Sequence, residues 1–226
     1  MDHTTANISF MMRPRIVIAD DHALLREAFQ KLLEADCDIV GCVGDGRALL
    51  EVAPQVKPDV ILLDLAMPLL NGLDAGQQLK RMMPNVKLIV LTVQEDPDLA
   101  HEAFRVGVSG FLLKNSAGAE LFEAIRSVLQ GKSYVTPLIA QGMEGSFIQA
   151  RKRPVPHRDL TSRQREVLQL MAEGYSMKQV AAMLHITTRT VAFHKYRMME
   201  DLGLKSNVEL LRLAIKHRLV SGPALR

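Results

Sequence analysis

Cysteine is scarce in this chain, and nothing around it gives it a task. The 226 residues hold two, Cys37 and Cys42, and no zinc spacing of further Cys or His surrounds the pair, so no structural zinc is expected. They lie at an odd offset on an expected strand, which sends them to opposite faces, and they read as free thiols rather than a disulfide. Long hydrophobic runs are missing too. Hydrophobic residues make up 48% of the chain, yet no uninterrupted stretch approaches the ~20 residues a membrane span takes. No signal-peptide pattern opens the chain, so a cytoplasmic protein with no membrane partner is expected. Internal repeats are absent as well. At this length two domains are expected, each with its own core.

Charge is divided unevenly. Residues 1–132 hold 13 Lys+Arg against 18 Asp+Glu, a net of −5, whereas residues 133–226 hold 15 against 7, a net of +8. The first half repels polyanions. The second attracts them, either as an ordinary solvated surface or as a reader of nucleic acid.

From Arg15 to Gly131 short apolar runs alternate with helical periodicity. Strands are expected at 15–19, 38–43, 59–63, 87–92 and 110–113, each followed by a helix such as 22–35, where Leu25, Phe29 and Leu32 share a face. Five such units linked by right-handed crossovers give an α/β fold, a flavodoxin-like five-stranded doubly wound parallel sheet. Its first and third strands meet at the switch point, and ligands collect beyond their carboxyl ends. Asp20 and Asp21 close the first run and Asp64 follows the third. Three carboxylates at one edge repel unless a proton or a cation compensates, and Mg²⁺ is the cation most useful to chemistry there. Thr92 ends the fourth run and Lys114 the fifth, adding a hydroxyl and an ammonium to the same edge. That set suits phosphoryl transfer: Asp64 as nucleophile and phosphoacceptor, Mg²⁺ and Lys114 as neutralising charge, Thr92 as hydrogen-bond donor. Taken singly, each residue is an ordinary cap, turn or flanking residue; their coincidence at four strand ends carries the reading.

With Ile18-Ala19-Asp20-Asp21-His22, Leu62-Leu63-Asp64-Leu65-Ala66-Met67-Pro68, Asn71-Gly72, Val90-Leu91-Thr92 and Phe111-Leu112-Leu113-Lys114, the segment 14–131 resembles the receiver domain of two-component response regulators. The resemblance implies that Asp64 takes phosphate from a partner histidine kinase. It further implies that Asp20, Asp21, Asp64 and the Ala66 carbonyl hold Mg²⁺, and that Thr92 and Phe111 act as switch residues beside Lys114. Two positions depart from the commonest pattern: Val93 follows Thr92 and narrows access to the phosphate, and Asn115 follows Lys114 where a proline with a cis bond is common.

Residues 132–157 read as a linker, with a weakly patterned, helix-compatible stretch to Phe147 and then the basic, proline-interrupted run 151–158. Beyond it the signals are helical. Four helices are expected near 162–172, 176–183, 187–200 and 206–217, making residues 158–221 a C-terminal all-α domain. The second and third are joined by a tight turn, as in a helix-turn-helix. Within the third, Val191 and Met198 face inward, leaving Arg189, Lys195, Tyr196 and Arg197 available.

Leu160-Thr161, Arg163, Glu166-Val167-Leu168, Ala172-Glu173-Gly174, Val180-Ala181, Leu184, Thr190-Val191, His194 and Leu202-Gly203-Leu204 are similar to the C-terminal domain of NarL/FixJ and LuxR regulators. This second resemblance implies binding to double-stranded DNA through Lys178, Thr188, Arg189, Ala192, Phe193, Lys195, Tyr196 and Arg197. It also implies an active homodimer formed through the last helix, with Val208, Leu211 and Ile215 on its apolar stripe. Ala192 stands where the family usually has Lys or Arg, so the neighbouring cations take up that electrostatic work.

The combined reading is a response regulator whose DNA binding and transcriptional output follow phosphorylation of Asp64. Two alternatives stand beside it. One is a DNA-binding regulator whose receiver is only a dimerisation platform. The other is an aspartyl-phosphate phosphohydrolase, which would need a second Asp where this chain has Ala66.

Overall fold

The computed structural model describes residues 13–116, 118–149, 160–217 and 219–220. Its N-terminal body is a parallel sheet of β1 (Arg15–Ala19), β2 (Asp38–Val43), β3 (Val60–Asp64), β4 (Lys87–Thr92), β5 (Gly110–Leu113) and β6 (Tyr134–Val135), in the order β2-β1-β3-β4-β5-β6. The five expected strands are present in the expected order, and β6 adds a sixth beside β5. The crossovers are α1 (Ala23–Leu33), α2 (Gly46–Val56), α3 (Gly72–Met82), α4 (Pro97–Arg105) and α5 (Gly118–Leu129).

Strand alternation sorts the side chains into two layers. Val17, Ala19, Ile61, Leu63, Val90 and Phe111 point toward α2, α3 and α4. Ile16, Ile18, Val60, Leu62, Ile89 and Leu112 point toward α1 and α5. In α1 Leu25 and Phe29 are half-buried and Phe29 packs on the core as expected, but the third inward residue is Leu33, whereas Leu32 is 38% exposed. Cys37 is buried just before β2 and Cys42 is exposed on it.

Gly72 opens α3 where a Cβ would lie 2.1 Å from the Asp64 carbonyl oxygen. Only glycine lets this helix start directly against the tip of β3. Asn71 caps it through the Asp74 N–H, which gives the Asn71-Gly72 pair its structural reason.

Residues 134–143 fold onto the first domain instead of trailing from it. After β6, α6 (Pro137–Gln149) lies along α4. The basic run 151–158 lies outside the described residues.

The C-terminal domain comprises α7 (Ser162–Ala172), α8 (Met177–Met183), α9 (Thr188–Asp201) and α10 (Asn207–Lys216). Its boundaries follow local chemistry. Thr161 with Gln164 and Ser176 with Gln179 form capping boxes, and Thr187 and Ser206 cap the last two helices. Val167, Leu170, Val180, Ala181, Leu184 and Val191 pack α7, α8 and α9 together. Leu168, Met198, Leu210 and Ala214 bring in α10.

Candidate functional site

Four strand ends do converge. Asp20 follows β1 and Asp64 ends β3, both buried, and Lys114 follows β5 with its ammonium 2.7 Å from Asp20 Oδ2 and 2.8 Å from Asp64 Oδ2. Thr92 ends β4, buried, and its Oγ1 accepts the Gln94 N–H at 3.1 Å. Asp21 lies farther out, its carboxylate 2.7 Å from His22 Nδ1. The backbone N–H of His22 donates to Asp20 Oδ1 at 2.8 Å, and that of Ala66 to Asp64 Oδ1 at 3.3 Å. Phe111 is wholly buried one layer below. Val93 is 77% exposed, so it stands on the rim and does not close the mouth. No cis peptide occurs among the described residues.

Opposing electrostatic influences meet at Asp64. Burial pushes its carboxyl above the usual range and Asp20 adds to this, while the hydrogen bond and charge of Lys114 pull the other way. Burial by itself would lower the Lys114 ammonium, yet its bonds to Asp20 and Asp64 outweigh that and hold it above its ordinary value. Lys114 is therefore charged. One potential ligand atom from each of Asp20, Asp21, His22 and Asp64 lies within 4.8 Å of the others. Three carboxylates against one ammonium leave excess negative charge at the mouth. Hard oxygen donors in that number fit a divalent cation.

On α9, Thr188, Arg189, Phe193, Tyr196 and Arg197 are exposed, Lys178 is exposed on α8, and Ala192 is half-buried. The Arg197 guanidinium lies 5.8 Å from the Phe193 ring centroid, so cation and aromatic share one face. Lys195 departs from expectation. Val191, Lys195 and Met198 are spaced i, i+4, i+7 and are all buried, so Lys195 belongs to the inward stripe. It lines a groove of about 500 Å³ with Met171, Tyr175, Val208 and Leu211. On α10, Val208 and Leu211 are exposed and Ile215 is half-buried.

The two domains meet through a polar seam that the sequence did not disclose. Arg165 of α7 grips Asp74 of α3, with Nε to Oδ1 at 2.8 Å and Nη2 to Oδ1 at 2.5 Å. Gln169 accepts the backbone N–H of Asn71 at 2.9 Å and donates to the Met67 carbonyl at 3.0 Å. The Glu173 carboxylate accepts the Leu69 N–H at 3.1 and 3.2 Å. Leu69 has left-handed backbone, with φ of 65°, a geometry that costs roughly 1–2 kcal/mol outside glycine. Its side chain packs against the cluster of Val167, Leu170, Val180, Ala181, Leu184 and Val191 at the helix-turn-helix. Gln78 donates to Glu166 at 3.1 Å. The receptor surface for α7 is thus the loop and helix that continue directly from Asp64. Motif residues Asn71, Glu166 and Glu173 were visible in the sequence, but nothing local pairs them across the chain.

Two family models match. Residues 16–126 match the response regulator receiver domain, and residues 158–214 match the bacterial regulatory proteins of the luxR family. The chain is 34% identical to the oxygen regulatory protein NreC of Staphylococcus carnosus over 214 residues, covering 91% of this chain and 99% of that protein. NreC of Staphylococcus aureus is 35% identical over the same shares. Among solved structures, the RcsB response regulator of Salmonella typhimurium aligns with a TM-score of 0.60 at 26% identity, over 89% of this chain and 96% of that one. An RcsB–DNA complex aligns with a TM-score of 0.56 at 26% identity, over 89% and 98%.

Proposed function

The chain belongs to the two-component response regulators that join a receiver to a LuxR-type domain, and we propose that phosphorylation of Asp64 by a partner histidine kinase controls its binding to double-stranded DNA and hence transcription. The observation that carries this is the convergence of Asp20, Asp64, Thr92 and Lys114 at one sheet edge, from which the loop holding the reader domain departs.

The chemistry follows from the geometry. An Asp64 carboxylate oxygen attacks phosphorus in line, the N–P bond of a phosphohistidine breaks, and the departing imidazole takes up a proton. Lys114, already between Asp20 and Asp64, neutralises the new charge. The oxygen of Thr92 accepts from Gln94, which leaves its O–H to donate to a phosphoryl oxygen. Asp20, Asp21, Asp64 and the Ala66 carbonyl are the residues that would hold Mg²⁺, which when bound supplies positive charge beside the equatorial oxygens.

Added phosphate brings roughly −1.5 to −2 of charge, by analogy with other phosphorylated side chains. That charge draws Thr92 inward and lets Phe111 repack, a local event biasing a two-state element. The docked form holds an acidic receiver against a basic reader, lowering the potential that attracts DNA. Release restores it. In the docked form Arg189, Phe193, Tyr196 and Arg197 are already exposed, so charge and domain placement, more than burial of the reading face, restrain binding. Lys178, Thr188, Arg189, Ala192, Phe193, Tyr196 and Arg197 meet the DNA. Val208, Leu211 and Ile215 pair two copies, so that two recognition helices address half-sites about one helical turn apart. A kinase partner and a DNA target place the protein in the cytoplasm, and no helix among the described residues is long and apolar enough to cross a membrane.

Acetyl phosphate treatment of wild type and Asp64→Asn, followed by mass measurement and by anisotropy titration on duplexes selected from a random pool, tests this. Phosphate should enter only the wild type and raise only its affinity. Equal affinities in all four states would refute phosphate control.

A further inference from the structure

We infer that β6 and α6, the segment between the two domains, form the output lever that reads the switch and moves the tether of the DNA-binding domain. The inference rests on the phosphorylation switch proposed above. It concerns where the movement of Thr92 and Phe111 goes.

Three sets of contacts tie this segment to the parts that respond to phosphate. The first is backbone. Tyr134 and Val135 pair in parallel with Gly110 and Phe111, and the Thr136 N–H donates to the Phe111 carbonyl at 3.0 Å. Thr136 Oγ1 accepts the Leu113 N–H at 3.3 Å, so the strand that ends in Lys114 is bonded along its outer edge by the segment itself. The second is packing. Ile139, on the first turn of α6, is 1% exposed in the same core layer as Phe111. A Phe111 that changes its volume of occupation disturbs the close-packed layer to which Ile139 belongs. The third is the contact with α4, which follows Thr92 by five residues. At Gly142 a Cβ would stand 2.5 Å from Cγ of Pro97, the first residue of α4. The two helices touch there with glycine as spacer, and a shift of α4 is passed to α6 without a gap.

β5 and α4 are therefore both in contact with one segment, and in the sequence that segment precedes the reader domain. A tether attached to the surface at random would need none of these contacts. The 26-residue segment that composition marks as a linker is, in its first half, part of the switch.

The same geometry provides the test. The distance from the ideal Cβ of Gly142 to Cβ of Pro97 is 3.5 Å, at the near end of the roughly 3.5–4.5 Å found across disulfides. Pro97→Cys with Gly142→Cys, in a Cys42→Ser background, gives a clamp that can be closed by oxidation and opened by reductant. With the clamp closed, α4 and α6 must move as one body, so Asp64 should accept phosphate to the wild-type extent and the ratio of DNA affinities with and without phosphate should be kept. A closed clamp that collapses the ratio, with recovery on adding reductant, would show that α6 has to slide against α4 and would overturn the inference. Hydrogen exchange on the unmodified protein supplies a second arm that needs no DNA response. Backbone amides of residues 134–143 should change their exchange rates when Asp64 is phosphorylated, and identical rates in both states would equally overturn it. If wild type and reduced variant both show no effect of phosphate on DNA affinity while the amides do respond, the failure belongs to phosphate control of DNA binding and not to the lever.

Discussion

Replacing Gln169 by Ala should release the reader domain without any phosphate. Gln169 is completely buried at the seam, and its amide serves two receiver backbone groups, the Asn71 N–H and the Met67 carbonyl. In the docked form Ala leaves both unpaired and dry; in the undocked form both are satisfied by water. Each buried unpaired group costs roughly 1–3 kcal/mol, so docking should weaken by about 2–6 kcal/mol, or roughly 30- to 20,000-fold. Ala is the better helix former, so α7 itself does not suffer. The substitution is also neutral, whereas removing Arg165 would alter the attraction for DNA along with docking. Small-angle scattering of the unphosphorylated variant should show a larger radius of gyration than wild type, and anisotropy titration should show DNA affinity moving toward that of the phosphorylated wild type. A variant that stays as compact as wild type and gains no affinity would refute the reasoning that these hydrogen bonds hold the domains together.

Lys114→Gln removes the ammonium that separates Asp20 from Asp64 and leaves two buried carboxylates facing each other. The melting temperature should fall in metal-free buffer and recover in part on adding Mg²⁺; an unchanged melting temperature would mean that the pair is already relieved by water. Glu173 makes docking sensitive to pH. Burial pushes its carboxyl up, with Asp45 adding, against Gln169, the Leu69 N–H and Arg47, so the docked form binds a proton more readily than the undocked one. Docking should be tightest below about 4.5, the ordinary value, and should weaken as pH rises through the docked value. Glu173→Gln should flatten that dependence in scattering measurements, and an unaltered pH profile would exclude Glu173 as its source. Arg189→Ala should weaken DNA binding on all sequences and reduce the salt slope by about 0.9, the loss of one phosphate contact. Lys195→Ala should leave the slope unchanged, because Lys195 is buried; equal slopes for the two variants would contradict the placement of these side chains on α9.

Much of this molecule is written in short-range pattern. Apolar runs of four to six residues closed by Asp20, Asp64, Thr92 and Lys114 dictate parallel strands and, through the fixed hand of their crossovers, put those four residues at one edge. Thr161, Ser176, Thr187 and Ser206 start their helices by bonding their own backbone, so the helices of the reader domain fall within a residue or two of where the sequence places them. The acidic and basic halves come from counting alone. Tertiary structure decided the rest because it depends on which surfaces meet. β6 has two residues and too little pattern to announce itself; it exists because the free edge of β5 accepts it. Lys195 looks like one more cation for DNA until the phase of α9 is set by burial of Val191 and Met198. The seam of Arg165, Gln169 and Glu173 with residues 67–74 joins side chains about a hundred positions apart. No periodicity encodes such pairings, since they are satisfied only when two separately folded domains come into register.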